Sequence, residues 1–169
     1  MDLCRFKRAP QDLPYSPASL ALLLVASTLF DIVVGAATSD AAGAFVHTLL
    51  FNALILGLCW IALAIRRFDN RYVQTALALI ACGLLISIVQ LPLALLIEPL
   101  SGKEGAQSLS LFQLLLRWAA LGTLVWQILI YAHIMRHAME SRFGLAAALT
   151  TSWFVAYFAL ESVLFGAQG

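Results

Sequence analysis

Charge is what this sequence has least of. Only 11% of its 169 residues are Asp, Glu, Lys or Arg, against about a quarter in soluble domains. The formal net charge of +1 excludes the basic surplus that draws a chain to nucleic acid, so no nucleic-acid partner is expected. Cysteine is also scarce. Cys4, Cys59 and Cys82 show no CxxC spacing, which removes the usual metal and redox motifs. Cys4 precedes the first apolar stretch rather than following it, so it is not a lipoprotein cysteine. Cys59 and Cys82 lie inside apolar runs and read as small apolar packers. P-loop, GxSxG, HExxH and GxGxxG patterns are all missing, and there is no catalytic Ser/His pair on one side of the membrane. No polar stretch is long enough for a soluble catalytic domain. The expectation is therefore no enzyme, no cofactor and no resident metal.

Apolar residues, by contrast, make up 62% of the chain, and mean hydropathy is +0.92. A soluble chain of this length could not hide so much apolar surface in one core, so lipid must act as solvent. Five apolar runs, at about residues 18–37, 44–65, 72–97, 109–139 and 144–165, each approach or exceed the ~20 residues that span a bilayer. Backbone facing lipid must satisfy its own hydrogen bonds. The expected fold is all-α: a polytopic transmembrane bundle of five helices spanning 18–166 behind a basic segment at 1–17. Pro92 is expected to kink the last turn of the third helix, and the longest loop is Glu98–Ser108, with Pro99, Gly102 and Gly105. No internal repeat is evident.

Basic residues set the orientation. With the N-terminus inside, Arg5, Lys7, Arg8, Arg66, Arg67, Arg71, Arg136 and Arg142 all face the cytoplasm, while the outer loops hold only Lys103. The positive-inside bias thus gives N-in, C-out. One rival reading is a cleaved signal peptide, with Val33-Val34-Gly35-Ala36-Ala37 as the small-residue site. The long polar segment before the apolar run and Asp31 within it argue against cleavage.

Inside the membrane, Asp31 lies about 18 Å from the inner end of its helix, at 1.5 Å per residue. A carboxylate near mid-bilayer costs about 2.5–3.5 kcal/mol on insertion scales, so it calls for a partner or a purpose. The same arithmetic puts His47, Gln90, Arg117 and Glu161 in the outer half, one on each of the other four helices. These five residues form a candidate polar cluster, with Arg117 pairing Asp31 or Glu161, able to bind a small ion or relay protons. In the alternative reading His47, Arg117 and Glu161 snorkel to the interface and Asp31 only fixes packing.

His133, His137 and Glu140 share a helix face and are zinc-ligand types. Their spacing is incomplete as a metal site, since His47 belongs to the opposite side. The plainer reading is an interfacial turn with an Arg136–Glu140 ion pair. The cytoplasmic elbows gather Arg66, Arg67, Arg71, Arg136, His137 and Arg142 into a candidate surface for lipid headgroups or a protein partner, each basic group adding about 1 kcal/mol near an anionic leaflet. Trp60, Trp118 and Tyr131 read as anchors of helix ends. Asn52, Gln127, Thr150, Thr151 and Ser152 read as interhelical hydrogen-bonding residues.

Three stretches carry a resemblance: Arg71-Tyr72-Val73-Gln74-Thr75, Leu91-Pro92-Leu93, and Ala132-His133-Ile134-Met135-Arg136-His137-Ala138-Met139-Glu140. On these the chain resembles a group of small multi-pass inner-membrane proteins of proteobacteria. In span count and layout it is also similar to the Yip1-like five-helix group. The resemblance implies a bacterial inner membrane and a role in membrane organisation rather than catalysis; it implies no active residues. The leading expectation is a non-catalytic interaction, assembly or membrane-organising protein, with membrane lipids and an inner-membrane protein or further copies of itself as partners. The alternative is a small transporter or an ion- or proton-conducting oligomer built on the polar cluster. That alternative requires a hydrated path through Asp31, Gln90 and Arg117. An interaction protein tolerates a dry, self-satisfied cluster.

Overall fold

The computed structural model describes residues 16–38, 41–101 and 111–165. Over these residues the chain forms α1 (Pro17–Thr38), α2 (Ala41–Ile65), α3 (Tyr72–Ser101), α4 (Leu111–Ala138) and α5 (Phe143–Phe165), with one 3-10 turn at Asp69–Arg71 and no strand. Expectations for Cys4, Arg5, Lys7, Arg8 and Lys103, and for the tail after Phe165, fall outside the described residues, as does most of the loop before α4.

Each helix is long and apolar enough to cross a membrane. Even α1, the shortest at 22 residues, reaches about 33 Å, against ~30 Å of hydrocarbon. The apolar residues form no single stripe. Leu22, Val33, Ile65, Leu111 and Val163 are all at least two-thirds exposed, a surface that lipid solvates and water would not. The protein is a multi-pass membrane protein.

Local chemistry sets the helix ends. Ser16 caps α1, its Oγ accepting from the Ser19 amide at 3.2 Å, and Pro17 occupies the first helical position, where its missing N–H costs nothing. At the other end of α2 the Phe68 amide donates to Leu63 O at 2.9 Å and the Arg67 amide to Ala64 O at 3.0 Å. Arg67 itself sits in the left-handed region at φ 60°. This is a Schellman closure with arginine where glycine is usual. The end of α4 repeats it: the Ser141 amide donates to Arg136 O at 3.0 Å, and Glu140 has φ 49°. Toward its far end, α3 continues through Pro92 to Ser101, although Pro92 leaves the Ile88 carbonyl without its helical donor.

Side-chain pairs give the directions of the helices. Asn52 meets Thr28 across α2 and α1, Gln90 meets Thr123 across α3 and α4, and Phe51 meets Phe154 and Tyr157 across α2 and α5. Each of these pairs is antiparallel, so the chain runs up and down. The lateral order is not the chain order, however. α1 lies between α2 and α3, followed by α4 and α5, and α5 closes back on α2.

The two ends of the bundle differ. Around the α2–α3 and α4–α5 elbows the interior is a dry core of Ile55, Cys59, Leu63, Leu79, Ile86, Ile130, Ile134, Met135 and Trp153. None of the described residues of α1 belongs to that core; α1 packs along α2 and α3, with Ser27, Thr28 and Asp31 among the side chains it turns toward them. Tyr131 is a core residue at 1% exposure, not the interfacial anchor the sequence suggests. Trp60 and Trp118 are exposed, at 54% and 63%. Gln127 donates along its own helix to Tyr131 Oη at 3.5 Å and Thr150 bonds back to Ala146 O at 3.0 Å. Both form the i–4 or i+4 bonds common to polar side chains in helices rather than the interhelical bonds expected.

The elbows dock on each other. Arg66 Nη2 donates to Met139 O at 3.4 Å and Arg71 Nη1 to Ala138 O at 3.4 Å, so the first elbow supplies cations to carbonyls left open at the end of α4. Arg71 Nη2 also pairs with Glu140 Oε1 at 2.7 Å, and its guanidinium lies 4.6 Å from the Phe68 ring centroid. Glu140 therefore meets Arg71 rather than Arg136. Beyond Ala138 the chain has left helical geometry, and the i,i+4 spacing no longer brings those two together.

Two predictions follow from this packing. A Cβ at Gly83 would stand 2.7 Å from Tyr131 Oη, and the buried Tyr131 ring cannot swing aside. Gly83→Ala should lower stability in detergent by about 1–3 kcal/mol, as overpacking does. Adding Tyr131→Phe, which removes the offending oxygen, should recover part of that loss; equal stability of the single and double variants would refute the contact. At the elbow, Arg67→Gly should raise the unfolding midpoint, because glycine avoids the ~1–2 kcal/mol cost of the left-handed region. Glu140→Gly gains the same relief but loses the Arg71 pair, so it should stay closer to wild type.

Candidate functional site

Away from the elbows the interior changes character. The aspartate of α1, the histidine near the start of α2 and the glutamine of α3 (Asp31, His47 and Gln90) line one cavity of about 250 Å³. Thr48, Phe51, Ser87, Leu124, Gln127, Phe154, Tyr157 and Phe158 complete it, so all five helices contribute. Asp31 is half-buried and takes a side-chain hydrogen bond from Ser87, one turn before Gln90 on α3. Asp31 and Ser87 also border a second pocket of about 30 Å³, toward Asn52, Gly83 and Tyr131. That size and polarity suit bound water. Polar lining therefore continues from the cavity to the top of the dry core, which closes the path toward the elbows.

His47 Nδ1 lies 3.3 Å from Glu161 Oε1, each about one-third exposed. This contact ties the start of α2 to the end of α5 beside the cavity. Gln90 Nε2 donates to Thr123 Oγ1 at 3.2 Å, and Thr123 in turn donates to Ala120 O at 2.7 Å. The aromatic wall is self-supporting: Phe51 stands edge-on to Tyr157 with ring centroids 5.1 Å apart and to Phe154 at 5.9 Å.

Of the five residues singled out from sequence, Asp31, His47 and Gln90 share the cavity, and Glu161 joins them through His47. Arg117 does not line the cavity; it stands on an exposed flank of α4. Asp31 meets Ser87 and Glu161 meets His47, so neither partner of the expected Arg117 pairing is an arginine. Sequence reading missed Ser87, Thr123 and the aromatic wall. Ser87 falls seven residues after Ile80, on the α3 face that also carries Gly83, and that spacing was the available signal.

The basic elbow residues divide into two sets. Arg66 and Arg71 are engaged with the α4–α5 elbow, whereas Arg67, Arg136 and Arg142 are exposed. His137 is half-buried and its ring packs on His133, centroids 4.6 Å apart. With Glu140 turned to Arg71, no cluster of three metal-ligand side chains exists among the described residues.

No family model, no curated protein and no solved structure matches this chain.

If the cavity holds water, Ser87→Cys in a background free of native cysteines should react with a charged, membrane-impermeant thiol reagent in sealed vesicles. Leu79→Cys, at a position fully buried in the dry core, should stay unreactive. Equal inertness at both positions would mean a dry cavity.

Proposed function

We propose that this protein is a non-enzymatic inner-membrane protein, N-terminus inside, that binds a small polar solute or proton in the cavity around Asp31. The observation that carries this reading is the position of that carboxylate. It borders open space between helices rather than an arginine, together with Gln90 and Ser87. A carboxylate kept only for packing is expected in a closed, fully paired contact, because a charge within hydrocarbon is otherwise costly. The dry core on the elbow side makes access one-sided, as in one state of a carrier or in a membrane-embedded receptor. Under the positive-inside rule the elbow arginines face the cytoplasm, and the cavity half faces the other side of the membrane.

A second reading, an assembly or membrane-organising protein, is favoured by a different observation: Arg67, Arg136 and Arg142 are exposed together around the two docked elbows. Such a surface suits anionic headgroups or an acidic partner, and it is compatible with a ligand-binding cavity at the other end.

The test is solute binding, and proton or solute flux, with protein reconstituted in liposomes. Asp31→Asn should insert and fold normally yet lose at least ~10-fold of any signal, since the amide keeps the shape and removes the charge. Wild-type behaviour of Asp31→Asn would sink the cavity reading. Co-purification of a stoichiometric protein partner from native membranes, with flux absent, would favour the second reading instead.

A further inference from the structure

Resting on the solute-binding reading above, we infer that the solute class is a small organic ammonium ion. The cavity combines one carboxylate, Asp31, with a wall of four aromatic rings, Phe51, Phe154, Tyr157 and Phe158. Among the described residues no arginine or lysine lines it, and its one basic side chain, His47, already faces Glu161 at 3.3 Å, so an anion would meet Asp31 where the nearest cation is already engaged by a carboxylate. A bare inorganic cation is equally ill served. Hard cations ask for six or more oxygen ligands, and much of this lining is aromatic or aliphatic. A neutral solute would displace water from the carboxylate without compensating its charge. An alkylammonium satisfies both parts of the site: its charge pairs with Asp31, and its C–H surface lies against ring faces that attract cations.

The geometry limits the ligand further. Drug-sized molecules occupy pockets of roughly 300–1,000 Å³, and this one, open on one side, is about 250 Å³, which favours a small ammonium group. Phe51, Phe154 and Tyr157 are held in place before any ligand arrives. Phe51 is braced edge-on by Phe154 and Tyr157, Phe154 is buried at 4% exposure against Tyr131, and Tyr157 is in edge contact with Phe158. Such preorganisation reduces the ordering cost of binding. Gln90, whose amide is anchored on Thr123, and Thr48 offer polar atoms for a hydroxyl or carbonyl on the ligand. An ammonium carrying one short polar arm fits this arrangement best.

The experiment is equilibrium binding to the full chain in nanodiscs, read by calorimetry or ligand-observed NMR. The probes are tetramethylammonium, choline, its neutral isostere 3,3-dimethyl-1-butanol, sodium and acetate. Tetramethylammonium or choline should bind, and the neutral isostere, sodium and acetate should not. Asp31→Asn should weaken ammonium binding by at least ~30-fold, the scale of losing one partner of a desolvated charge pair. Phe51→Leu, which keeps an apolar side chain but removes the ring, should weaken it by roughly 3- to 30-fold, the cation–π range. Size-exclusion profiles and helical circular dichroism matching wild type establish that both variants are folded.

Failure of both ammonium probes to bind overturns the inference, as does binding unaffected by Asp31→Asn. Tighter binding of the isostere, sodium or acetate overturns the ammonium class while leaving a solute-binding cavity in place. If no probe binds and Ser87→Cys is also unreactive, the solute-binding reading itself falls.

Discussion

A carboxylate carried into hydrocarbon must be shielded, paired or neutralised, and the layout of this bundle follows from that demand at Asp31. Lipid tails are as apolar as leucine, so burial of apolar side chains does little to bring helices together within a bilayer. Polar contacts and close packing do more. Around Asp31 the polar side chains of every helix converge: Ser87 beside it, Gln90 and Gln127 along the wall, and His47 with Glu161 nearby. α1 packs along both α2 and α3 and turns Ser27, Thr28 and Asp31 toward them, and none of its described residues belongs to the apolar core.

The elbow half is built on different principles and acts as a base. Two helix ends of the same Schellman type, each with a charged residue in the left-handed position, face each other. Arg66 and Arg71 reach from one elbow to the open carbonyls of the other, so the two hairpins are joined where the helix dipoles of α2 and α4 end. Exposed ion pairs contribute little by themselves. Here the Arg71–Glu140 pair is reinforced by two backbone contacts and by the interlocked layer of Ile55, Leu79, Ile134 and Met135 behind it. A rigid, dry half and a polar, hollow half therefore share the same five helices.

Hydropathy and length alone made the five helices legible, because each run is uniformly apolar and bounded by charge, proline or small polar residues. Asp31, His47, Gln90 and Glu161 were legible as a group through depth, since 1.5 Å per residue places them at similar levels. Azimuth was not. A helix that is apolar all round carries no stripe to say which side faces its neighbours. The same lack hid the burial of Tyr131, the aromatic wall, and the exclusion of Arg117 from the cavity. The Arg136–Glu140 pair failed for another reason: helical spacing was extended past the point where the backbone turns left-handed at Glu140. The position of α1 between α2 and α3 had no sequence signature, since short connections favour neighbours in the chain.

That lateral order bears on how the protein is made. A chain emerging from the ribosome releases α1 first, then α2, and α3 only some tens of residues later. Ser87, the side chain that meets Asp31, is not yet synthesised when α1 enters the bilayer. Until α3 arrives, the α1–α2 hairpin must carry its carboxylate without its final neighbour, either against the insertion machinery or in the protonated form. The first hairpin is thus an incomplete intermediate by construction, and α3 is the segment whose arrival commits it to the finished bundle.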